Sequence, residues 1–507
     1  MADAIGSELV SKVTGYLLAK GNFQNKTSNL PMRIAIIGEA NTANQGSLDT
    51  APKEIISAQQ AGLLYGFGSP IHMISRILKP ISGTGVGGIP IIVYPQLEAV
   101  GATENVYTIT PSGVATGNGT HFVKVAGRKG IDGVFYAINI VSGDTTDEIT
   151  VKIQDAINNV LGCPFIGTST DYEAILTSKF KGLTANELTL SVDNGGNDLG
   201  ITYSIDQTTV GSGTPSIASS LTAFGNEWNT IVVNSYGAVE TIMDSLEAFN
   251  GKPAVSDTEA PTGRYTGIIM KPFFALTGSV LDDPTTITDS RLDDVTICIC
   301  PAPESPGHQM EAAANMCVLF ARTSQDNPHL DVSGQSYPDM PMPEAGSIPS
   351  MNEYDFRDFA VKKGCSTVEI SSGKYKVADF VTTYHPIGET PPQFRYARSL
   401  IIDFNIRFKY YILEQLYVVD HLIANDDDEV SASKVIKPKI LKSLMFTFSD
   451  ELVDSGLTVD SAFTQESVLV AISETNPDRL NNFFRYKRSG YARQVSTVGE
   501  AGFNFGN

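Results

Sequence analysis

Basic residues are scarce in this chain: 36 lysines and arginines stand against 56 aspartates and glutamates, a formal charge of −20. Nucleic acid and anionic membranes select basic surfaces, so wholesale binding to either is not expected. Cysteine is scarce too. Cys163, Cys298, Cys300, Cys317 and Cys365 are odd in number and scattered, unlike a secreted disulfide framework, so folding in a reducing cytoplasm is expected. No run approaches about 18 to 20 apolar residues, so no membrane-spanning helix is expected. The opening MADAIGSELVSKVTGYLLAK lacks the charged lead and unbroken apolar run of a signal peptide. The six histidines, His72, His121 and His385 among them, are dispersed, with none at metal-ligand spacing from another.

What is present suits an ordinary folded protein. The 507 residues, 42% of them hydrophobic and 18% charged, are enough for two to four domains with real cores. Residues 1–31 show little apolar periodicity and end in NKTSNLP, which reads as an extended arm. The run RIAIIGEA, 33–40, has the continuous apolar character of a buried strand, followed by a shorter one at KEII, 53–56. Ser57 and Gln60 form a capping box for a helix that Gly66 stops. Ser69 and Pro70 start a second helix carrying Ile71, Ile74, Ile77 and Leu78 on one face, and IPIIVYP, 89–95, is the next strand.

From about residue 98 the chain turns to Thr, Gly, Val and Ser with short strand patterns, marking a mostly β domain inserted between two parts of an α/β core. Its one clear helix has Thr145 and Glu148 as a capping box and Ile149, Ile153, Ala156, Ile157 and Val160 as a buried face. After residue 229, strands at TIVVNSY, TGIIM and VTICICP alternate with helices at AVETIMDSLEAF and EAAANMCVLFA, as in a layered sheet. KYKVADFVTTYHP follows a Pro-rich loop, then two long helices around RSLIIDFNIRFKYYILEQLYVVD and IKPKILKSLMFTFSDELVDSG, and a strand VLVAISE. The fold class expected is mixed α/β, a discontinuous layered core with an inserted mostly-β domain and extended arms at both ends. The boundaries are 1–31 arm, 32–97 core, 98–225 inserted domain, 226–484 core and 485–507 arm.

Four segments invite a chemical reading. The glycine-rich GTGVGG, 83–88, lies after a helix and before a strand, the reverse of a phosphate loop, and lacks the Lys-Ser/Thr ending. The stretch GTST, 167–170, resembles the nucleophile segment of subtilisin-like proteases, but no matching Asp or His segment precedes it. Cys298 and Cys300 with His308 leave a zinc site one ligand short, and NDDDE, 425–429, lacks the spaced ligands and glycine of a calcium loop. No catalytic, cofactor or metal site is expected, and the chain is read as a non-enzyme.

Several segments in order resemble the tail sheath proteins of contractile bacteriophages, most nearly the Mu-like branch. They are LPMRIAIIGEA, KEIISAQQAGLLYGFGSPIHMISRILKP and IPIIVYP, then DEITVKIQDAINNVLGCPFIGTS with ILTSKFKGLTANELTLSV, then SDELVDSGLTVD, VLVAISE and NPDRLN. The resemblance implies a structural subunit, without cofactors, that stacks as hexameric rings around an inner tail tube and contracts to drive the tube through the host envelope without nucleotide hydrolysis. It implies assembly in the host cytoplasm into the virion tail, with further copies of itself, the tube, baseplate and tail terminator proteins as partners, and an inserted domain on the exterior. A sheath from a phage-derived contractile injection system fits equally; a hydrolase or a surface adhesin is the reading from another class.

Two surfaces are then expected to join subunits. In GYARQVSTVGEAGFNFGN, 490–507, Val495 and Thr497, then Phe503 and Phe505, recur at spacing two, the pattern of a strand that needs a partner. An extended arm of this kind adds a strand to a neighbour's sheet. Tyr491, Arg493, Val495, Val498, Phe503 and Phe505 are its candidate contacts. Lys434, Lys437, Lys439 and Lys442, with Arg485, Lys487 and Arg488, are the candidate charges facing an acidic tube, where charge sets register more than affinity.

Overall fold

The computed structural model describes residues 29–254, 258–267, 270–389 and 392–503. Most of the expected amino-terminal arm lies outside these residues. Residue 30 is already held by the core, its N–H donating to the Asn405 side chain at 2.9 Å.

Six strands form the central sheet, in the order Ile297–Pro301, Phe274–Ser279, Ile231–Asn234, Ile34–Glu39, Ile91–Gln96, Lys53–Ile55. All neighbours are parallel except the last pair. Side chains alternate across a strand, so the apolar runs split between two faces. Ile34, Ile36, Ile91, Val93, Ile231, Val233, Phe274, Leu276, Cys298 and Cys300 lie in the cluster that holds Ile71 and Ile74 of helix Pro70–Leu78 and Met316 and Phe320 of helix Gln309–Asp326. Ala35, Ile37, Ile92, Tyr94, Val232, Ala275, Ile297 and Ile299 lie in a second cluster with Leu221 of helix Ala218–Ala223 and Ile242 and Leu246 of helix Glu240–Asn250. The result is a helix, sheet, helix sandwich, held because each isoleucine taken fully out of water contributes roughly 1.5–3 kcal/mol.

Thr145 and Glu148 cap helix Thr146–Asn158 reciprocally, and Ser69 accepts from the His72 N–H. Ser57 accepts from the Gln60 N–H, but the expected box is not closed, because the Gln60 side chain accepts from the Ile56 N–H instead. Gly66, at φ 93°, sits where the chain leaves helix Ala58–Tyr65. The strand that joins the sheet is Phe274–Ser279, downstream of the expected TGIIM, whose Ile268 and Ile269 lie outside the described residues; the Met270 N–H closes a turn on the Thr266 carbonyl, and Asn250 grips both the N–H and the carbonyl of Phe273, handing the chain to the sheet there. A strand Thr367–Ser371, not anticipated, pairs antiparallel with Lys374–Asp379.

Between Gln96 and Ala218 two larger antiparallel sheets form, beside a short hairpin of Gly130–Ile131 and Val134–Phe135. One has the order Ile201–Thr209, Glu104–Gly113, Ala174–Lys181, Phe165–Ser169, the other Leu190–Asp193, Gly119–Val125, Ala137–Ile140. The two crossings are fastened to each other where the Thr103 N–H meets the Ser212 carbonyl at 3.0 Å. His308 ties this unit to the core: its Nδ1 accepts from the Met310 N–H at the start of the long helix and its Nε2 donates to the Thr184 carbonyl. Ser169 donates to Gln154 at 2.8 Å, and in the glycine-rich loop the Val86 N–H is spent on the Leu78 carbonyl.

A third cluster makes a carboxy-terminal body: Ile436, Leu441, Met445, Phe448, Leu452, Leu457 and Val468, with Ile402, Ile406 and Leu413 of helix Ala397–Tyr417. The same helix sends Leu400, Ile401 and Phe404 into the main cluster. It therefore belongs to both.

Candidate assembly surface at the carboxy-terminal end

The carboxy-terminal body carries a hairpin, Leu469–Ile472 against Leu480–Phe483, paired from Leu469 opposite Phe483 to Ile472 opposite Leu480. It is fastened inward by Asn482, which donates to the Tyr410 hydroxyl at 2.9 Å, and by Phe484 beside Tyr410 and Phe448. Among the described residues this sheet stops at two strands. Two strands alone are marginal in water, and their outer edges present unpaired backbone groups. Leu469 and Phe483 are 65% and 49% exposed.

After the hairpin the chain runs back over its own body. Lys487 and Arg488 pair antiparallel with Val459 and Thr458. The Arg488 guanidinium takes both carboxylate oxygens of Asp403, at 2.8 and 2.6 Å, and the Tyr486 hydroxyl donates to the same carboxylate at 2.9 Å. Burial pushes the Asp403 carboxyl above its ordinary range against the pull of Arg488. Lys487 pairs with Asp460 at 2.6 Å and lies over Phe463. Arg398, on the shared helix, donates to the Ser489 carbonyl and hydroxyl at 2.8 Å each and faces the Tyr491 ring. Arg493 pairs with Asp331 and with Asp379, the latter at 3.1 Å, while stacking 3.9 Å from the Tyr396 ring centre.

For these residues the placement departs from a free arm and an open charged face. Tyr491, Arg493, Lys487 and Arg488 are engaged by their own chain, because Asp331, Asp379, Asp403 and Asp460 come from distant segments that the fold brings under this one. Arg485 is exposed, with its guanidinium over Phe483 and its N–H on Ser467. Beyond Arg493 the character changes: residues 494–503 form neither helix nor strand, and Val495, Val498 and Phe503 are 84%, 87% and 89% exposed. Phe505 lies outside the described residues.

The lysines stand apart, at the start of helix Pro438–Asp454. Lys437 and Lys439 reach the carbonyls of Asp428 and Asp426 in the acidic loop, Lys442 lies over Phe446, and Lys434, at φ 56°, is exposed. The acidic loop thus answers to its own lysines. Sequence reading missed the acids that hold the arginines; nothing in local spacing marks an aspartate whose partner lies 85 to 162 residues away.

No family model matches the chain. The Mu-like prophage FluMu tail sheath protein of Haemophilus influenzae is 23% identical to it over 432 residues, covering 83% of each chain. Over most of its length, then, the chain is similar to a Mu-like tail sheath protein. Among solved structures, the sheath tail protein of Desulfitobacterium hafniense superposes with a TM-score of 0.43 at 11% identity, over 94% of this chain and all of that one. The helical sheath of the anti-feeding prophage in its contracted state gives 0.43 at 10% identity, over 98% of this chain and all of that one.

Proposed function

We propose that the chain is the structural subunit of a contractile tail sheath, polymerising as stacked hexameric rings around an inner tube and contracting to drive that tube through the host envelope without nucleotide hydrolysis. The observation that carries this reading is the 23% identity sustained over 432 residues with a tail sheath protein. The exposed segment after Arg493 supports it, as does a hairpin with two open edges on the same body. An arm from one copy adds to such an edge, backbone hydrogen bonds supplying affinity and alternate side chains register. Val495 and Val498 are the arm contacts we retain, with Phe503 and Phe505 continuing the pattern, and the unit inserted between 98 and 225 is assigned to the exterior. Truncation after Arg493 leaves the carboxy-terminal body whole. It is expected to yield a soluble protein that forms no cylinders by negative-stain microscopy, and cylinders of ordinary length would sink the reading.

The tube-facing part of the proposal rests on the lysines at the head of helix Pro438–Asp454. The charge-reversed pair Lys439→Glu and Lys442→Glu is expected to assemble sheaths that are empty or out of register when co-expressed with the tube. Unchanged decoration of tubes would remove this helix from the inner surface.

A further inference from the structure

Residues 487–493 cross from the carboxy-terminal body to the layered core, and the way they are held differs from everything around them. At one end a two-residue ladder and the Asp403 pair fix Lys487 and Arg488. In the middle, the Ser489 N–H donates to the Leu457 carbonyl at 3.0 Å while Arg398 donates to the Ser489 carbonyl and hydroxyl. At the far end Arg493 reaches two carboxylates of the core, Asp331 beyond helix Gln309–Asp326 and Asp379 at the end of strand Lys374–Asp379.

Gly490, Tyr491 and Ala492 are exposed, and no side chain from 489 to 493 belongs to a hydrophobic cluster. The crossing is thus made of charge-assisted hydrogen bonds and ring contacts, which are strong and directional but expose no core when they open. The carboxy-terminal body stays joined to the core through helix Ala397–Tyr417 whether or not the crossing is closed.

We propose that residues 487–493 are a releasable strap. Closed, it fixes the root of the carboxy-terminal arm on the core, so that the arm starts at Gln494. Open, it yields its own residues to the arm. The five residues 489–493, at about 3.3 Å each, lengthen the reach by roughly 17 Å. That slack suits a link that must stay paired while neighbouring subunits rotate and separate, and to this extent the proposal rests on the arm reading above. Opening starts at Arg493, which has only side-chain contacts, and stops at Arg488, where the ladder and the bidentate pair add to one another.

Limited tryptic digestion of the full chain, with intact-mass analysis, tests this directly. Arg493 must leave Asp331, Asp379 and Tyr396 before it can enter the protease's specificity pocket, whereas Lys434 is exposed and serves as an internal reference. Cleavage after Arg493 in the unaltered protein is expected to lag far behind cleavage after Lys434 and to accelerate with added salt. The double variant Asp331→Asn and Asp379→Asn keeps the arginine and removes both charges; its cleavage after Arg493 is expected to rise on the order of ten-fold at an unchanged Lys434 rate, because proteolysis follows the open population. Equal rates at the two sites in the unaltered protein, without salt dependence, would overturn the strap even if the variant failed to fold. Cylinders formed after truncation at Arg493 bear on the arm alone, and fast cleavage after Arg493 bears on the strap alone.

Discussion

Replacing Glu39 by Gln is expected to flatten the fall of stability between about pH 4.5 and 8 and to make the variant the more stable protein above neutrality. Glu39 ends the central strand, is 2% exposed, and its Oε2 has no hydrogen-bond partner among the described residues. Burial, with the Glu98 carboxylate nearby, pushes its carboxyl from the ordinary 4.5 up to about 8. Tyr236 also faces it, and Lys181 is spent on Glu98 and Glu104. The sign follows from proton counting. Between about 4.5 and 8 the unfolded chain has lost this proton and the folded chain keeps it, so the contribution is whole at acid pH and is lost as pH rises. The loss approaches about 1.4 kcal/mol per pH unit and levels off once the folded carboxyl ionises, on the order of 5 kcal/mol in all. Glutamine removes the proton from both states. Urea unfolding of parent and variant at several pH values between 5 and 9 isolates this residue; parallel curves would show that Glu39 keeps an ordinary carboxyl.

Arg488→Ala is expected to cost roughly 3 kcal/mol, since it leaves the Asp403 carboxylate beneath the strap with the Tyr486 hydroxyl as its remaining side-chain donor. Burial works against the Arg488 charge as well, and Asp403 more than compensates, holding the guanidinium above its ordinary range. Most of the cost is the stranded aspartate. Adding Asp403→Asn to Arg488→Ala is therefore expected to recover about half of the loss, a coupling that a double-mutant cycle reads out. Trp228, the single tryptophan, lies against Phe404, the next residue along the helix, and its fluorescence reports on this region. Full additivity of the two changes would mean that the pair is solvated and contributes little.

The layered core was legible because its signals are local. Strands buried on both faces read as unbroken Ile and Val runs, and Ser57, Ser69 and Thr145 announce their helices within four residues. The start of the strand at Phe274 is not local information, because Asn250, 23 residues before the Phe273 it grips, decides where the chain enters the sheet. At the carboxy-terminal end the apolar pattern of Val495 and Phe503 shows in the sequence, whereas the fate of Arg488 and Arg493 does not. A charged residue in a polar tail reads alike whether it faces solvent, a partner or its own fold, and only the folded positions of Asp331, Asp379 and Asp403 separate these cases. The basic cluster looked like one surface; folding divides it into a row of lysines and a set of internal clasps.

Helix Ala397–Tyr417 has a mechanical consequence. At about 100° per residue, Leu400, Ile401 and Phe404 point one way and Ile402, Ile406 and Leu413 nearly the opposite way. Each set is embedded in a different cluster. Twisting one body about this rod would pull three large side chains from one core or the other, at roughly 1.5–3 kcal/mol apiece. The two bodies are then joined as one stiff brick. If, as proposed above, such bricks form a contracting lattice, stored work would reside in the joints between copies rather than in any bent copy, and the two ends of a stroke would differ in how bricks lean on each other, each brick keeping its shape.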